Sequence, residues 1–155
     1  ARDEYGVRAV IHPHAGGHVE FADEIDRIAR ETKVIAVVGL SPRPERPSYG
    51  VARFLQARGH RIVPVNPGQA GGTILGEPVF ASLSAIPDRD EVDMIDIFRQ
   101  SDAVPGIVDE ALAVLPNLRT VWMQIGVRHE GAAAKAEAAG KTVVQDMCPK
   151  IEFPR

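Results

Sequence analysis

Val34-Ile35-Ala36-Val37-Val38 runs without a break into Gly39-Leu40-Ser41-Pro42-Arg43-Pro44-Glu45-Arg46-Pro47-Ser48, and the rest of the chain is organised around this passage. Five consecutive apolar residues, mostly β-branched, form the pattern of a strand covered on both faces. Pro47-Ser48 then opens a helix reaching about Arg58, with Ser48 as its cap and Val51, Ala52, Phe54 and Leu55 as its apolar stripe. Gly59 is the expected stop. Arg61–Val65 reads as a second strand whose internal Pro64 places it at an edge or an irregular position. Asn66 to Pro78 is glycine-rich and reads as a loop. A short strand at Val79-Phe80 and a helical turn near Ser82–Ile86 follow, then a third main strand over Val92–Phe98. Ser101 is placed to cap a helix over Ala103–Ala113, where Val104, Ile107, Val108, Ala111 and Leu112 share a face. Thr120–Gln124 is the fourth strand, Glu130–Ala139 an alanine-rich helix closed by Gly140, and Thr142–Val144 the fifth strand. Strands and helices alternating over short connections imply an α/β domain: a Rossmann-like, doubly wound parallel sheet of five main strands with right-handed crossovers.

Composition narrows the function classes. The chain has 155 residues, 45% of them hydrophobic and 25% charged, which fits one domain with a full core. No apolar run approaches the roughly 18 residues that span a bilayer. The charged opening A-R-D-E-Y-G leads into no apolar block of an export signal. A single cysteine, Cys148, is compatible with a reducing, cytoplasmic setting. A net charge of -3 and 5% aromatic residues argue against nucleic-acid binding, which favours a basic face and stacking platforms.

In an open parallel sheet, ligands bind outside the carboxyl ends of the strands, at the switch point beside the first strand. The turn that falls there carries distinctive residues. Gly39 lets backbone pass close to a ligand, and the helix that follows offers free N–H groups at its positive end. Arg43 and Arg46 bring two guanidinium groups to the same mouth, suited to phosphate oxygens. The prolines stiffen the turn. This combination points to an anionic ligand, a nucleotide phosphate above all, with a solvated surface turn as the plain alternative. A nicotinamide dinucleotide is not indicated: G-x-G-x-x-G is absent, and Asn66-Pro67 stands where an acidic residue should end the second strand. G-x-x-x-x-G-K-[ST] is absent too, so phosphoryl transfer from a nucleoside triphosphate has no anchor.

Six motifs occur in order: G-L-S-P-R-P-E-R-P-S-Y-G-V-A (39–52), V-P-V-N-P (63–67), L-G-E-P-V-F (75–80), D-I-F-R (96–99), W-M-Q-I-G-V (122–127) and D-M-C-P-K-I-E (146–152). From Thr32 to about Phe153 the chain resembles the small coenzyme A-binding proteins related to the N-terminal domain of succinyl-CoA synthetase α subunits. The resemblance implies that Ser41, Arg43, Arg46 and Ser48 contact the phosphates of coenzyme A or an acyl-CoA. It sets Asn66 and Pro67 along the adenosine and pantetheine path, Phe98 and Arg99 on the opposite wall, and Gln124 and Gly126 near the end of the pantetheine arm. Synthetase chemistry also needs a phosphorylated histidine from a second domain and a nucleotide-grasping partner subunit, for which this chain has no room. His129, at a helix start, reads as a surface residue. The expected function is therefore noncatalytic binding of a small nucleotide ligand, without nucleic acid or membrane and with the oligomeric state open. A nucleotide-dependent enzyme, or a ligase or oxidoreductase subunit, is the rival class. Cys148, following the fifth strand on the mouth side, is either a half-buried core residue or a thiol able to form a mixed disulfide with bound pantetheine.

The opening residues read differently. Val7–His12 is patterned as one more strand and Phe21–Glu31 as an amphipathic helix, with P-H-A-G-G-H-V-E between them holding three of the five histidines. This stretch resembles a strand-loop-helix unit of the sugar isomerase and inosose dehydratase type of (β/α)8 barrel. It implies an added strand and helix at a sheet edge, with a boundary near Thr32-Lys33. Its source is a natural fusion, an engineered chimera (one without a retained ligand is a third functional reading) or coincidence. His12 and His14 share one side of an extended strand, with His18 and Glu20 close by, but the barrel's other metal ligands would come from strands this chain lacks, so no metal site is expected.

Overall fold

A computed structural model describes residues 21–154. The strand expected over Val7–His12 and the histidine-bearing loop lie outside the described residues. The chain runs through α1 (Phe21–Glu31), β1 (Val34–Val38), α2 (Pro47–Arg58), β2 (Arg61–Val65), β3 (Thr73–Ile74), β4 (Glu77–Pro78), β5 (Met94–Ile97), α3 (Val104–Val114), β6 (Thr120–Met123), α4 (Glu130–Ala138), β7 (Thr142–Val144) and α5 (Pro149–Glu152). Five strands form one parallel sheet in the order β2-β1-β5-β6-β7. This is the Rossmann-like doubly wound arrangement, with its switch point between β1 and β5.

Every residue of β1 is buried, because alternate side chains enter two different cores. Val34, Ala36 and Val38 pack with Val108, Ala111, Ala133 and Ala136 of α3 and α4. Ile35 and Val37 pack on the other face with Ile25, Ile28 and Ala29 of α1, Val51, Ala52 and Leu55 of α2, and Trp122. The spacing of Ile25, Ile28 and Ala29 gives α1 its buried stripe, and the helix enters β1 through only Thr32 and Lys33. Pro64 sits in β2, the edge strand of the sheet, where a missing N–H is tolerated; the outer side of β2 takes a single parallel bridge from Phe80, whose N–H donates to Pro64 O at 3.0 Å.

Three local expectations are corrected. Ser48 is not the cap of α2: the helix starts one residue earlier, Arg46 is the N-cap position, and no side chain caps it. Ser101 likewise does not cap α3. It opens a 3-10 turn, Ser101–Ala103, and its hydroxyl accepts the Arg128 N–H at 3.0 Å. The segment from Asn66 to Pro78 is not wholly irregular. It holds a 3-10 turn at Pro67–Gln69 and an antiparallel hairpin of β3 and β4. The hairpin turns at Leu75 and Gly76, with φ of 54° and 78°, as a two-residue turn with both central φ values positive.

Candidate functional site

The mouth is built at the carboxyl ends of β1, β2, β5 and β6. Leaving β1, Gly39 adopts φ 91° and donates its N–H to Val65 O at 2.8 Å. A Cβ at Gly39 would lie 2.7 Å from Phe98 O and 3.0 Å from Arg99 Cδ. The strands flanking the switch point thus close on each other through a residue that has no side chain, and Arg99 lies against it.

The turn beyond is folded by its own serines. The Ser48 hydroxyl, buried at the start of α2, accepts the Ser41 N–H at 3.0 Å, and the Ser41 hydroxyl accepts the Arg43 N–H at 3.1 Å. Arg46 N–H closes the turn on Arg43 O at 3.0 Å. Using its serines in this way leaves the first turn of α2 without a side-chain cap, so the positive end of a 12-residue helix faces the mouth. Gly39, Ser41, Arg46, Pro47, Ser48 and Phe98 line one small cavity of 170 Å³ there. Arg43 and Arg46 are exposed, and neither guanidinium has an ion-pair partner among the described residues.

Asn66 ties the second strand's turn to the first. Its Nδ2 donates to Leu40 O at 2.9 Å, and its Oδ1 accepts the Gly68 N–H at 2.9 Å. Pro67 begins the following 3-10 turn and is exposed. On the far side of the switch point, Gln124 is buried, and its Oε1 has no hydrogen-bond partner among the described residues. Gly126 is exposed with φ 86°, and its N–H is taken by Asp146 Oδ1 at 2.7 Å. The structure therefore gathers Gly39, Ser41, Arg46, Ser48 and Phe98 into one cavity with Arg99 beside it. Asn66 buttresses the turn, and Gln124 and Gly126 stand at the end of β6.

One contact of the mouth, made by Asp146, was not singled out from the sequence. Asp146 holds the Gly126 turn from a left-handed backbone, φ 61°, and no short-range pattern signals a contact spanning twenty positions. A groove of 530 Å³ shares Arg46 and Pro47 with the small cavity and continues over Arg53, Cys148, Lys150 and Ile151. Cys148 is 7% exposed in its wall. His129 is a helix cap, its Nδ1 accepting the Ala132 N–H at 3.0 Å. Asp96, one pair of residues below Phe98 on β5, is fully buried, and burial pushes its carboxyl well above the usual range. Among the described residues no group of three or more histidine, cysteine or acidic side chains is placed to hold a metal, and no helix is long and apolar enough to cross a membrane.

Comparison with known proteins shows the family and the fold. The sequence profile of the CoA binding domain family matches residues 33–154. The chain belongs to the CoA binding domain family. It is 37% identical over 128 residues to the protein YneT of Bacillus subtilis (strain 168), covering 83% of this chain and 90% of that one. Among solved structures, a Thermus thermophilus protein described as cell-free ID.343 superposes with a TM-score of 0.78 at 33% identity, covering 86% of this chain and 96% of its own. A hypothetical protein from Pyrococcus horikoshii OT3 gives a TM-score of 0.77 at 30% identity, with 91% and 93% of the two chains covered. The barrel-type resemblance of the opening residues gains no support from these relatives.

Proposed function

We propose that the domain binds coenzyme A or a short acyl-CoA, without catalysing its conversion, through the turn between β1 and α2. The observation that carries this reading is the uncapped start of α2, set behind a serine-folded turn and beside the exposed Arg43 and Arg46, which have no ion-pair partner among the described residues. A helix N-terminus with two guanidiniums fits a pyrophosphate better than any neutral group. In this reading Arg43 and Arg46 pair with the phosphates while Gly39, Ser41 and Ser48 shape the turn beneath them. Asn66 and Pro67 border the adenosine side, Phe98 and Arg99 form the facing wall, and Gln124 and Gly126 stand at the pantetheine end. Family membership supports the ligand class.

Thermal melting with coenzyme A, acetyl-coenzyme A, NAD and ATP tests the reading. A ligand at a hundred times its dissociation constant adds about 2.7 kcal/mol to stability. Coenzyme A or its acetyl ester should raise the midpoint, and the Arg43→Ala/Arg46→Ala double variant should lose most of that rise. A shift with NAD or ATP alone, or an undiminished shift in the double variant, would refute the assignment.

A further inference from the structure

The last residues of the domain form a strap that is fastened at the opposite end of the sheet from the mouth. Trp122 Nε1 donates to Met147 O at 2.8 Å, where the strap begins. The Phe153 ring, 2% exposed, meets the Trp122 ring edge-on with centroids 5.5 Å apart. Arg58, in the last turn of α2, then clasps the end: Nε donates to Pro154 O at 3.0 Å, and the guanidinium lies 5.3 Å from the Phe153 ring centre.

Arg58 is itself held by His60. Nη1 of Arg58 reaches His60 Nε2 at 3.2 Å, and His60 Nδ1 is 2.8 Å from Thr32 O. These partners permit one protonation state. A carbonyl only accepts, so Nδ1 carries the hydrogen; a guanidinium only donates, so Nε2 must present its lone pair. A second proton would turn Nε2 into a donor facing a cation. The charged groups that face the ring are Arg58 from α2 and Asp93 from the turn entering β5, with the Phe153 ring 5.9 Å away. Asp93 offers little relief, since its carboxylate already accepts the Lys33 and Val34 N–H groups, each at 2.9 Å. Burial further holds the imidazole below its ordinary value, with Arg58 adding to the effect against the opposing pull of the Thr32 carbonyl and Asp93.

The strap matters to the mouth because it carries Cys148, Lys150 and Ile151, one wall of the groove that shares Arg46 and Pro47 with the phosphate-side cavity. We propose that His60 is an acid-sensitive latch: neutral, it holds Arg58 and so the C-terminal strap; protonated, it frees the strap and opens that wall of the groove. The latch stands on its own contacts, and only its effect on coenzyme A rests on the function proposed above.

Trp122 is the one tryptophan and Cys148 the one cysteine, so each reports on the strap without labels elsewhere. From pH 8 to 5, Trp122 emission and near-ultraviolet dichroism should change in a single step below about pH 6.5, while far-ultraviolet dichroism stays constant. Across the same step, Cys148 should react several-fold faster with 4,4′-dithiodipyridine, relative to a free thiol at each pH. His60→Gln should remove the step. Should that variant fail to fold, hydrogen exchange of residues 147–154 in the unmodified protein takes its place, with protection expected at pH 7.5 and lost at pH 5.5. A Trp122 signal that is flat until global acid unfolding, an unchanged step in His60→Gln, or equal protection at both pH values would overturn the latch. None of these readouts contains coenzyme A, so absence of coenzyme A binding would strike the functional reading and leave this one intact.

Discussion

Ser48 reaches back across the turn to Ser41: a hydroxyl buried in the first turn of α2 accepts the Ser41 N–H at 3.0 Å, and the Ser41 hydroxyl in turn accepts the Arg43 N–H at 3.1 Å. Each link removes an unsatisfied amide and fixes where the next residue leaves the turn, so Arg43 is positioned, through Ser41, by the hydroxyl of Ser48 further along the chain.

Ser48→Ala should therefore loosen the turn and leave the rest of α2 intact. Losing the acceptor for a partly buried amide costs about 1–2 kcal/mol, readable as a lower urea midpoint at unchanged slope. Hydrogen exchange at the Ser41 amide should accelerate well beyond that global loss. If Ser41 stays as protected as in the unmodified protein, the hydroxyl is not what holds the turn.

Gly39 and Gly140 make a matched pair for separating backbone strain from crowding. Both have positive φ, 91° and 86°. Around Gly140 nothing lies within 4 Å of an added Cβ, whereas at Gly39 that atom would meet Phe98 O at 2.7 Å. Gly140→Ala should cost about 1 kcal/mol, the penalty of a left-handed backbone. Gly39→Ala should cost about 1–3 kcal/mol more, because β1 and β5 must separate at the switch point. Equal urea midpoints for the two variants would show that the strands yield without resistance.

The parts of this fold that were legible in the sequence are those where the signal is local. Val34–Val38 and Val121–Met123 are buried on both faces and read as unbroken apolar runs, and Pro64 marked its strand as an edge or an irregular one. The turn after β1 was legible for the same reason: Gly39, Arg43 and Arg46 are close in sequence, and topology alone says which end of the sheet they reach, whereas Ser41 and Ser48 entered the site through the family resemblance. Gln124 and Gly126 came only from resemblance, since nothing in the spacing brings β6 to the mouth. Misreadings arose where one residue type serves two purposes. A serine near a helix start reads as a cap, yet Ser48 and Ser101 both spend their hydroxyls on amides of other segments. Leu75 at φ 54° hid the small hairpin, because the usual signal for such a turn is asparagine or aspartate before glycine.

Asn66 offers a test of whether its two bonds are separable. Asn66→Asp keeps the acceptor for Gly68 and replaces the donor to Leu40 O by a carboxylate oxygen facing a carbonyl. The variant should lose about 1–3 kcal/mol at pH 7, with most of the loss recovered at a pH low enough to protonate the new acid. Asn66→Ala, lacking both bonds, should show no such recovery. Parallel pH profiles for the two variants would mean that the Leu40 bond contributes nothing.

Asp96 gives the last prediction its sign. It lies between Val37 and Trp122 in the sheet register, is 0% exposed, and has no hydrogen-bond partner for either oxygen among the described residues. Burial raises its carboxyl well above the unfolded value, so the native state keeps this proton over a pH range in which the unfolded chain has released it. With more protons bound in the native state, stability falls as pH rises through that range, by at most about 1.4 kcal/mol per pH unit for one group. His60 works in the opposite direction on the acid side, and comparison with Asp96→Asn cancels it, so paired urea melts of the two proteins from about pH 5 upward, above the unfolded carboxyl range, isolate Asp96. As pH rises from there the unmodified protein should lose stability relative to Asp96→Asn, which has no proton to lose. A common slope for the two proteins would show that Asp96 is already ionised in the fold, and that its charge is met by a partner the packing of β5 does not reveal.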